Sequence, residues 1–233
     1  MNADSEIDKA IIVFARLPVK GKVKTRLARD LGDEAAASFY KVCAEHTFKE
    51  ILKLEKTDVI PFLFFSEESE FEEVRNWTNN KFRYYSQQGN DLGERMINAF
   101  NTIFNAGFRN IILVGTDAPG ITADLMNDAL SLLKNYKCVI GPSDDGGYYL
   151  IGLSQSFHNL FHEMEWSTDS VFSKTVERLK QINSTYMVME KMIDIDTKED
   201  LKKWSNNNKT VISHPIKNFL KSNSLIMNDE ETK

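Results

Sequence analysis

The sequence predicts a three-layer α/β sandwich with a mostly parallel central sheet, on three observations. Short β-type runs alternate with amphipathic helical patterns from residue 10 to residue 204. Three of the runs, 10–16 (AIIVFAR), 110–115 (NIILVG) and 137–141 (KCVIG), are almost unbroken apolar segments, as strands covered on both faces are. The strand–helix–strand order demands crossovers, and these place helices on both sides of a parallel sheet.

Taken in order, the strand at 10–16 leads through a basic loop to a helix over 33–54, where Ala36, Phe39, Tyr40, Cys43, Ile51 and Leu54 fall near helical spacing. A strand at 58–65 (DVIPFLFF) brings Phe62, Phe64 and Phe65 to the core, and a helix at 68–77 and a strand at 82–86 (FRYYS) follow. In 91–106 the spacing of Leu92, Met96, Phe100, Ile103 and Phe104 is more regular, and Asp91 with Glu94 makes a capping-box-like start. After the strand at 110–115 come a helix at 122–134, strands at 137–141 and 147–153 (GYYLIGL), a helix at 169–182, a strand at 185–190 (TYMVME) and a helix at 197–204. Residues 1–204 are expected to form one domain. From 205 to 233 the chain reads "SNNNKTVISHPIKNFLKSNSLIMNDEETK", expected as a peripheral tail with a short helix near 215–221 and a frayed end.

Composition excludes several classes. A hydrophobic share of 42% and a charged share of 27% are ordinary for a globular protein. A net charge of −5 argues against a general nucleic-acid binder. No run of 18 apolar residues exists to span a membrane, and "MNADSEIDKA" is neither a secretory nor a transit signal. Cys43 and Cys138 are far apart and lack metal-type spacing, so free thiols in a reducing cytoplasm are expected.

In such sheets ligands bind outside the carboxyl ends of the strands, so function is read from the loops there. The first of them belongs to "FARLPVKGKVKTRLARDLG", where Arg16, Lys20, Lys22, Lys24, Arg26 and Arg29 gather with no acidic residue from 16 to 29. This is neither a Walker A loop nor a G-x-G-x-x-G turn, since only Gly21 is present. Pro18 and Gly21 make a turn, and Lys22, Lys24, Thr25 and Arg26 follow it into a helix, an arrangement suited to a phosphate chain. A solvated charged loop is the bland alternative, outweighed by the position after the first strand.

The loop after the fourth strand, "VGTDAPG", presents Asp117 either as a helix cap or as a ligand for a hard cation. In "GPSDDGGYYLIGL", Gly146 and Gly147 permit a tight turn or close approach to a ligand, and Asp144 and Asp145 either position an acceptor or start the turn. In "MIDIDTKEDL", Asp194 and Asp196 alternate and so point the same way in an extended segment, and Thr197 with Asp200 resembles a helix start. His158 and His162 are expected on a surface helix, there being no third ligand, and no Ser-His-Asp or Cys-His constellation can be assembled. "WST" before Asp169 reads first as a helix start with Trp166 as a packing anchor, and site lining is its minority reading.

The motifs "FARLPVKGKVKTRLA", "QQGNDLGERM", "LVGTDAPG", "GPSDDGGYYLIGL", "WST" and "DIDTKEDL" occur in order and together resemble the bacterial radical-SAM/selenodomain-associated transferase 1 family, labelled glycosyltransferase. That family belongs with the nucleotide-diphospho-sugar transferases of GT-A fold, as do the molybdopterin nucleotidyltransferases. The resemblance covers about residues 10–204. The glycine-rich opening of typical nucleotidyltransferases and the D-x-D of many glycosyltransferases are both missing.

The resemblance implies that Lys24 and Arg26 contact phosphates and act with Asp117 in catalysis. Arg16, Lys22, Thr25, Gln88, Gly89, Asp91 and Arg95 would lie near the nucleotide, although capping explains Asp91 equally well. Asp144, Asp145, Gly146, Gly147 and Tyr148 would line an acceptor pocket. Asp117, with Asp194 or Asp196, would hold Mg²⁺ or Mn²⁺. Two carboxylates held 4 Å apart without a cation would repel by about 4 kcal/mol at an effective dielectric of 20. The partners implied are a nucleotide or nucleotide sugar and a small-molecule acceptor. Three functions follow: nucleotidyl transfer, favoured on mechanism, glycosyl transfer from a nucleotide sugar, and nucleotide binding without catalysis. Acceptor, base preference and oligomeric state stay open.

Overall fold

A computed structural model of the protein describes residues 8–54, 58–66, 68–157, 159–207 and 215–222. One seven-stranded sheet organises them, with strands β1 (Lys9–Ala15), β2 (Val59–Phe65), β3 (Arg83–Ser86), β4 (Asn110–Val114), β5 (Cys138–Pro142), β6 (Tyr148–Leu153) and β7 (Tyr186–Val188) in the spatial order β3-β2-β1-β4-β6-β5-β7. All pairs are parallel except those of β6, which runs antiparallel to both β4 and β5. The reversal has a local cause. Only Ser143–Gly147 separate β5 from β6, too few residues for a parallel crossover, so the chain must turn back on itself.

The helices are α1 (Thr25–Leu31), α2 (Asp33–Leu52), α3 (Phe71–Trp77), α4 (Leu92–Asn105), α5 (Ala123–Leu132), α6 (Val171–Gln181), α7 (Lys198–Asn207) and α8 (Pro215–Ser222). Alternate residues of β1 enter different layers. Ile11, Val13 and Ala15 join Tyr40, Ala44, Phe48 and Ile51 of α2 and Met126 and Leu130 of α5. Ala10 and Ile12 join Met96, Phe100 and Ile103 of α4 and Leu179 of α6. Strand β2 does the same with Leu63 and Phe65 against Phe62 and Phe64, which is what two covered faces require. Pro61 is tolerated in β2 because β3 pairs only with Phe62–Phe65 and asks nothing of residue 61.

Asp91 caps α4, its Oδ1 accepting from the Glu94 amide at 2.8 Å, while Glu94 Oε2 accepts from the Asn90 amide at 2.8 Å. Thr197 and Asp200 make the matching start of α7. Helix α1, which the basic loop enters, is a separate element ahead of the helix expected at 33–54. It begins after Lys24 in a left-handed conformation and ends at Gly32, where α2 starts in a new direction.

The expected boundary at Trp204 is corrected by a third apolar cluster. Leu27 of α1, Phe39 and Cys43 of α2, Ile195, and Leu201 and Trp204 of α7 close over Ile216 and Leu220 of α8. Ile216 is 0% and Leu220 1% exposed, and Phe219 meets the ring of Phe39 at 5.8 Å. The short helix near 215–221 therefore belongs to the folded unit rather than to a peripheral tail; residues 208–214 and 223–233 lie outside the described residues. Cys43 and Cys138 are free and buried, and among the described residues no helix is long and apolar enough to cross a membrane.

Candidate nucleotide site

The carboxyl ends of β1 and β4, the turn between β5 and β6, and the segment before α7 surround a cavity of about 650 Å³. Its cationic wall carries Arg16, Lys22, Lys24, Arg26 and Arg95, and its acidic wall Asp117, Asp145, Asp194 and Asp196. The lone acidic residue after β4 and the alternating pair before α7 therefore do reach one place.

Lys24 joins the two walls. Its ammonium contacts Asp117 Oδ1 at 2.6 Å and donates to Asp196 Oδ1 at 2.8 Å, with the side chain only 3% exposed. Arg26 stands 3.8 Å from the other oxygen of Asp196. Burial alone would lower the Lys24 pKa, but the Asp117 and Asp196 charges outweigh it and the net shift is upward, so the group is firmly cationic. Asp117 is not a helix cap, that place in α5 being taken by Thr122, while the Asp117 carbonyl accepts from the Ile195 amide at 3.0 Å and ties the two acidic segments together. Asp194 behaves differently from its neighbours. Burial, reinforced by the Asp145 carboxylate, pushes it up to about 7.

The turn after β5 fixes Asp145. Its Oδ1 accepts from the Ser143 hydroxyl at 2.5 Å and from the Gly147 amide at 2.9 Å. Gly146 has φ +89°, and a Cβ there would lie 2.2 Å from the Asp169 carbonyl oxygen, so glycine is required by both conformation and space. Tyr148 and Gly147 line the cavity with Asp145, whereas Gly146 lies behind it and Asp144 points away to Lys191 at 3.3 Å. Of the expected nucleotide residues, Arg16, Lys22, Lys24, Thr25, Arg26 and Arg95 face the cavity. Gln88, Gly89 and Asp91 do not: Gln88 donates to Ser86 Oγ, the Gly89 carbonyl accepts from Arg95 Nε at 3.0 Å, and Asp91 is the α4 cap. They shape the wall that carries Arg95.

Several lining residues escaped sequence reasoning. Tyr40, assigned to the core, turns its hydroxyl to the Arg16 amide at 3.1 Å and to Thr116 Oγ1 at 3.2 Å; burial, with Asp117 nearby, raises its pKa. Gln87 also lines the wall and donates to the Phe64 carbonyl at 2.9 Å. Trp166, Ser167 and Thr168 all line the cavity, and Trp166 also packs, as the anchor reading expects, against Phe161 and its cluster. Trp166 lies against Gly93, where a Cβ would come within 2.8 Å of the indole, and its ring meets that of Tyr148 edge-on at 6.5 Å. Its segment is held from behind by Arg178, whose guanidinium donates to the carbonyls of Asn159, Leu160, His162 and Glu163. His162 is exposed in a turn rather than a helix, and His158 lies outside the described residues.

For the expected cation the site offers at most a pair of carboxylates. Among the described residues no three His, Cys, Asp or Glu side chains gather into a metal site. Asp117 and Asp196 converge on the Lys24 ammonium, and Asp117 Oδ1 is buried with no hydrogen bond, only its ion pair with Lys24. A pair of carboxylates suits Mg²⁺, which takes one or two of them and completes its sphere with phosphate oxygens and water.

Fold and site together define a transferase of the nucleotide-diphospho-sugar transferase type. A structure of similar fold comes from Desulfovibrio desulfuricans, provisionally described as a nucleotide-diphospho-sugar transferase; it is 30% identical, with a TM-score of 0.87 over 93% of this chain and 95% of that one. A cytidylyltransferase from Leptospira borgpetersenii shares the fold at a TM-score of 0.56 and 14% identity, over 97% of this chain and 99% of its own. The 2-phospho-L-lactate guanylyltransferase of Methanocaldococcus jannaschii is 28% identical over 185 residues, 77% of this chain and 75% of that protein. The chain belongs to the DUF2064 family, described as "Uncharacterized protein conserved in bacteria", whose profile matches residues 47–168. These matches establish family and fold, while the narrower radical-SAM/selenodomain-associated name is carried by the motifs alone.

Proposed function

We propose that this protein is a nucleotidyltransferase that joins a nucleoside monophosphate unit, taken from a nucleoside triphosphate, to a small-molecule acceptor. The observation that carries the reading is that Arg16, Lys22, Lys24, Arg26 and Arg95 line one cavity together with Asp117, Asp145, Asp194 and Asp196. The cationic wall suits a triphosphate. The guanylyltransferase relative supports the same chemistry, and its guanylyl transfer makes GTP the first donor to test.

In this reading an acceptor oxygen attacks the α-phosphorus, the bond to the β-phosphate oxygen breaks, and pyrophosphate leaves. Lys24 and Arg26 draw charge from the phosphate oxygens, and Arg16 and Arg95 orient the chain, so that most of the rate gain is electrostatic positioning. Asp145, held by Ser143 and Gly147, faces the acceptor beside Tyr148 and Trp166. A Mg²⁺ or Mn²⁺ ion held by Asp117 and Asp196 would add charge neutralisation at the phosphates.

Glycosyl transfer from a nucleotide sugar is the second reading, supported by the provisional description of the Desulfovibrio relative. The test is a thermal-shift screen of nucleoside triphosphates and nucleotide sugars with Mg²⁺, followed by product analysis with candidate acceptors. Stabilisation by a triphosphate and release of pyrophosphate are expected. Arg26→Ala should weaken that binding by about 1.5–3 kcal/mol. Stabilisation by nucleotide sugars alone, with nucleoside diphosphate released, would replace nucleotidyl with glycosyl transfer.

A further inference from the structure

We propose that Lys24 is a positioning residue that sets the order of binding: its ammonium holds Asp117 and Asp196 as a ready-made pair and excludes a free divalent cation until a phosphate chain draws it away. The inference rests on the nucleotidyltransferase reading and deepens it.

The geometry is compact. One ammonium nitrogen lies 2.6 Å from Asp117 Oδ1 and 2.8 Å from Asp196 Oδ1, so the two oxygens are separated by no more than the sum of those contacts. A cation bridging them would need the space that Nζ holds. Two cations cannot share it, because their repulsion grows as water is excluded, and the Lys24 side chain is 3% exposed. Lys24 is thus the counter-charge of the carboxylate pair, a part that sequence reasoning had left to a metal.

The same residue is built to leave. An ammonium has three donors; one goes to Asp196 Oδ1 while the Asp117 contact is an ion pair, so donor capacity remains for an incoming phosphate. The backbone is anchored at the first turn of α1, where the Lys24 carbonyl accepts from the Ala28 amide at 2.9 Å, while the four-carbon side chain can swing. Lys24 also lines the cavity beside Arg16 and Arg26, so phosphates drawn to those two groups arrive within reach of it. Its φ of +47° is unfavourable for a residue with a Cβ. Transfer of the ammonium to phosphate frees both carboxylates at once. Because linkage is reciprocal, phosphate binding then favours the cation as much as the cation favours phosphate binding.

The test uses the full chain and Mn²⁺, with free ion read by electron paramagnetic resonance. Wild type should bind Mn²⁺ alone weakly. Lys24→Met and Lys24→Gln, each checked for folding by its melting curve, should bind it tighter by about tenfold or more, inside the roughly 5–150-fold range of coupled sites. Lys24→Met with Asp117→Asn should lose that gain. A role confined to stability would not raise cation affinity. Equal Mn²⁺ affinity in wild type and both variants overturns the proposal. Should neither variant fold, wild type alone decides: Mn²⁺ binding as tight without a triphosphate as with one overturns it. Triphosphate stabilisation of wild type with unchanged Mn²⁺ affinities sinks this inference and leaves the function standing. Failure of every triphosphate to bind sinks the function, and with it phosphate as the group that displaces Lys24.

Discussion

The C-terminal helix offers the sharpest test of how this fold supports its site. Leu220 is 1% exposed in the cluster that contains Leu27, three residues after Lys24, and Ile195, which lies between Asp194 and Asp196. Helix α8 therefore underlies both halves of the Lys24–Asp196 contact. Leu220→Ala removes buried carbon from a site walled by α1, α2 and α7, and the cost of such a truncation is about 2–5 kcal/mol. At about 2–4 °C per kcal/mol for a chain of this size, the melting temperature should fall by about 4–20 °C. Far-UV circular dichroism on heating measures this, with exposed Lys221→Ala as a control expected within about 0.5 kcal/mol of the parent. A chain ending at Trp204 loses Ile216, Phe219 and Leu220 together and should melt lower still, with a smaller nucleotide-induced shift. If Leu220→Ala melts with the parent, or the shortened chain keeps the full cooperative transition, α8 is peripheral and the reasoning fails.

Three other perturbations follow from the same geometry. Asp117→Asn removes one of the two anions beside a buried ammonium, so it should cost about 1–3 kcal/mol, discounted because Asp117 is 49% exposed; a melting temperature at or above the parent's would show that the pair is not held by Lys24. Arg178→Ala leaves the carbonyls of Asn159, Leu160, His162 and Glu163 without their shared donor and should cost about 1–3 kcal/mol, with faster proteolysis near Glu163. Arg178→Lys should not restore the parent's resistance, since an ammonium lacks the planar fork, and equal digestion of all three proteins would count against the clamp. Gly146→Ala combines a positive φ with a Cβ placed 2.2 Å from the Asp169 carbonyl oxygen and should destabilise by about 2–5 kcal/mol in denaturant titration; an unchanged midpoint would mean that the turn relaxes freely.

Much of this protein was legible along the chain. The apolar runs of β1, β4 and β5 announced strands buried on both faces, and the spacing of Met96, Phe100 and Ile103 announced α4, because these signals depend only on which residues are neighbours in sequence. The sites after β1 and β4 and before α7 were legible too, since a parallel sheet brings strand ends to one edge whatever the details. What the chain order could not express was distance through space. Lys24 and Asp196 are 172 positions apart, and nothing in either motif says that the lysine ammonium stands between the carboxylates. Nor could Trp166 be placed on the cavity wall as well as on the core without knowing that Gly93 leaves room for its indole. The C-terminal helix was misjudged for the same reason. Ile216, Phe219 and Leu220 are sparse apolar residues in a polar stretch, and they become core only because α1, α2 and α7 leave a matching surface uncovered. Local pattern determined the elements, and packing and charge pairing between distant segments determined which of their side chains form the site.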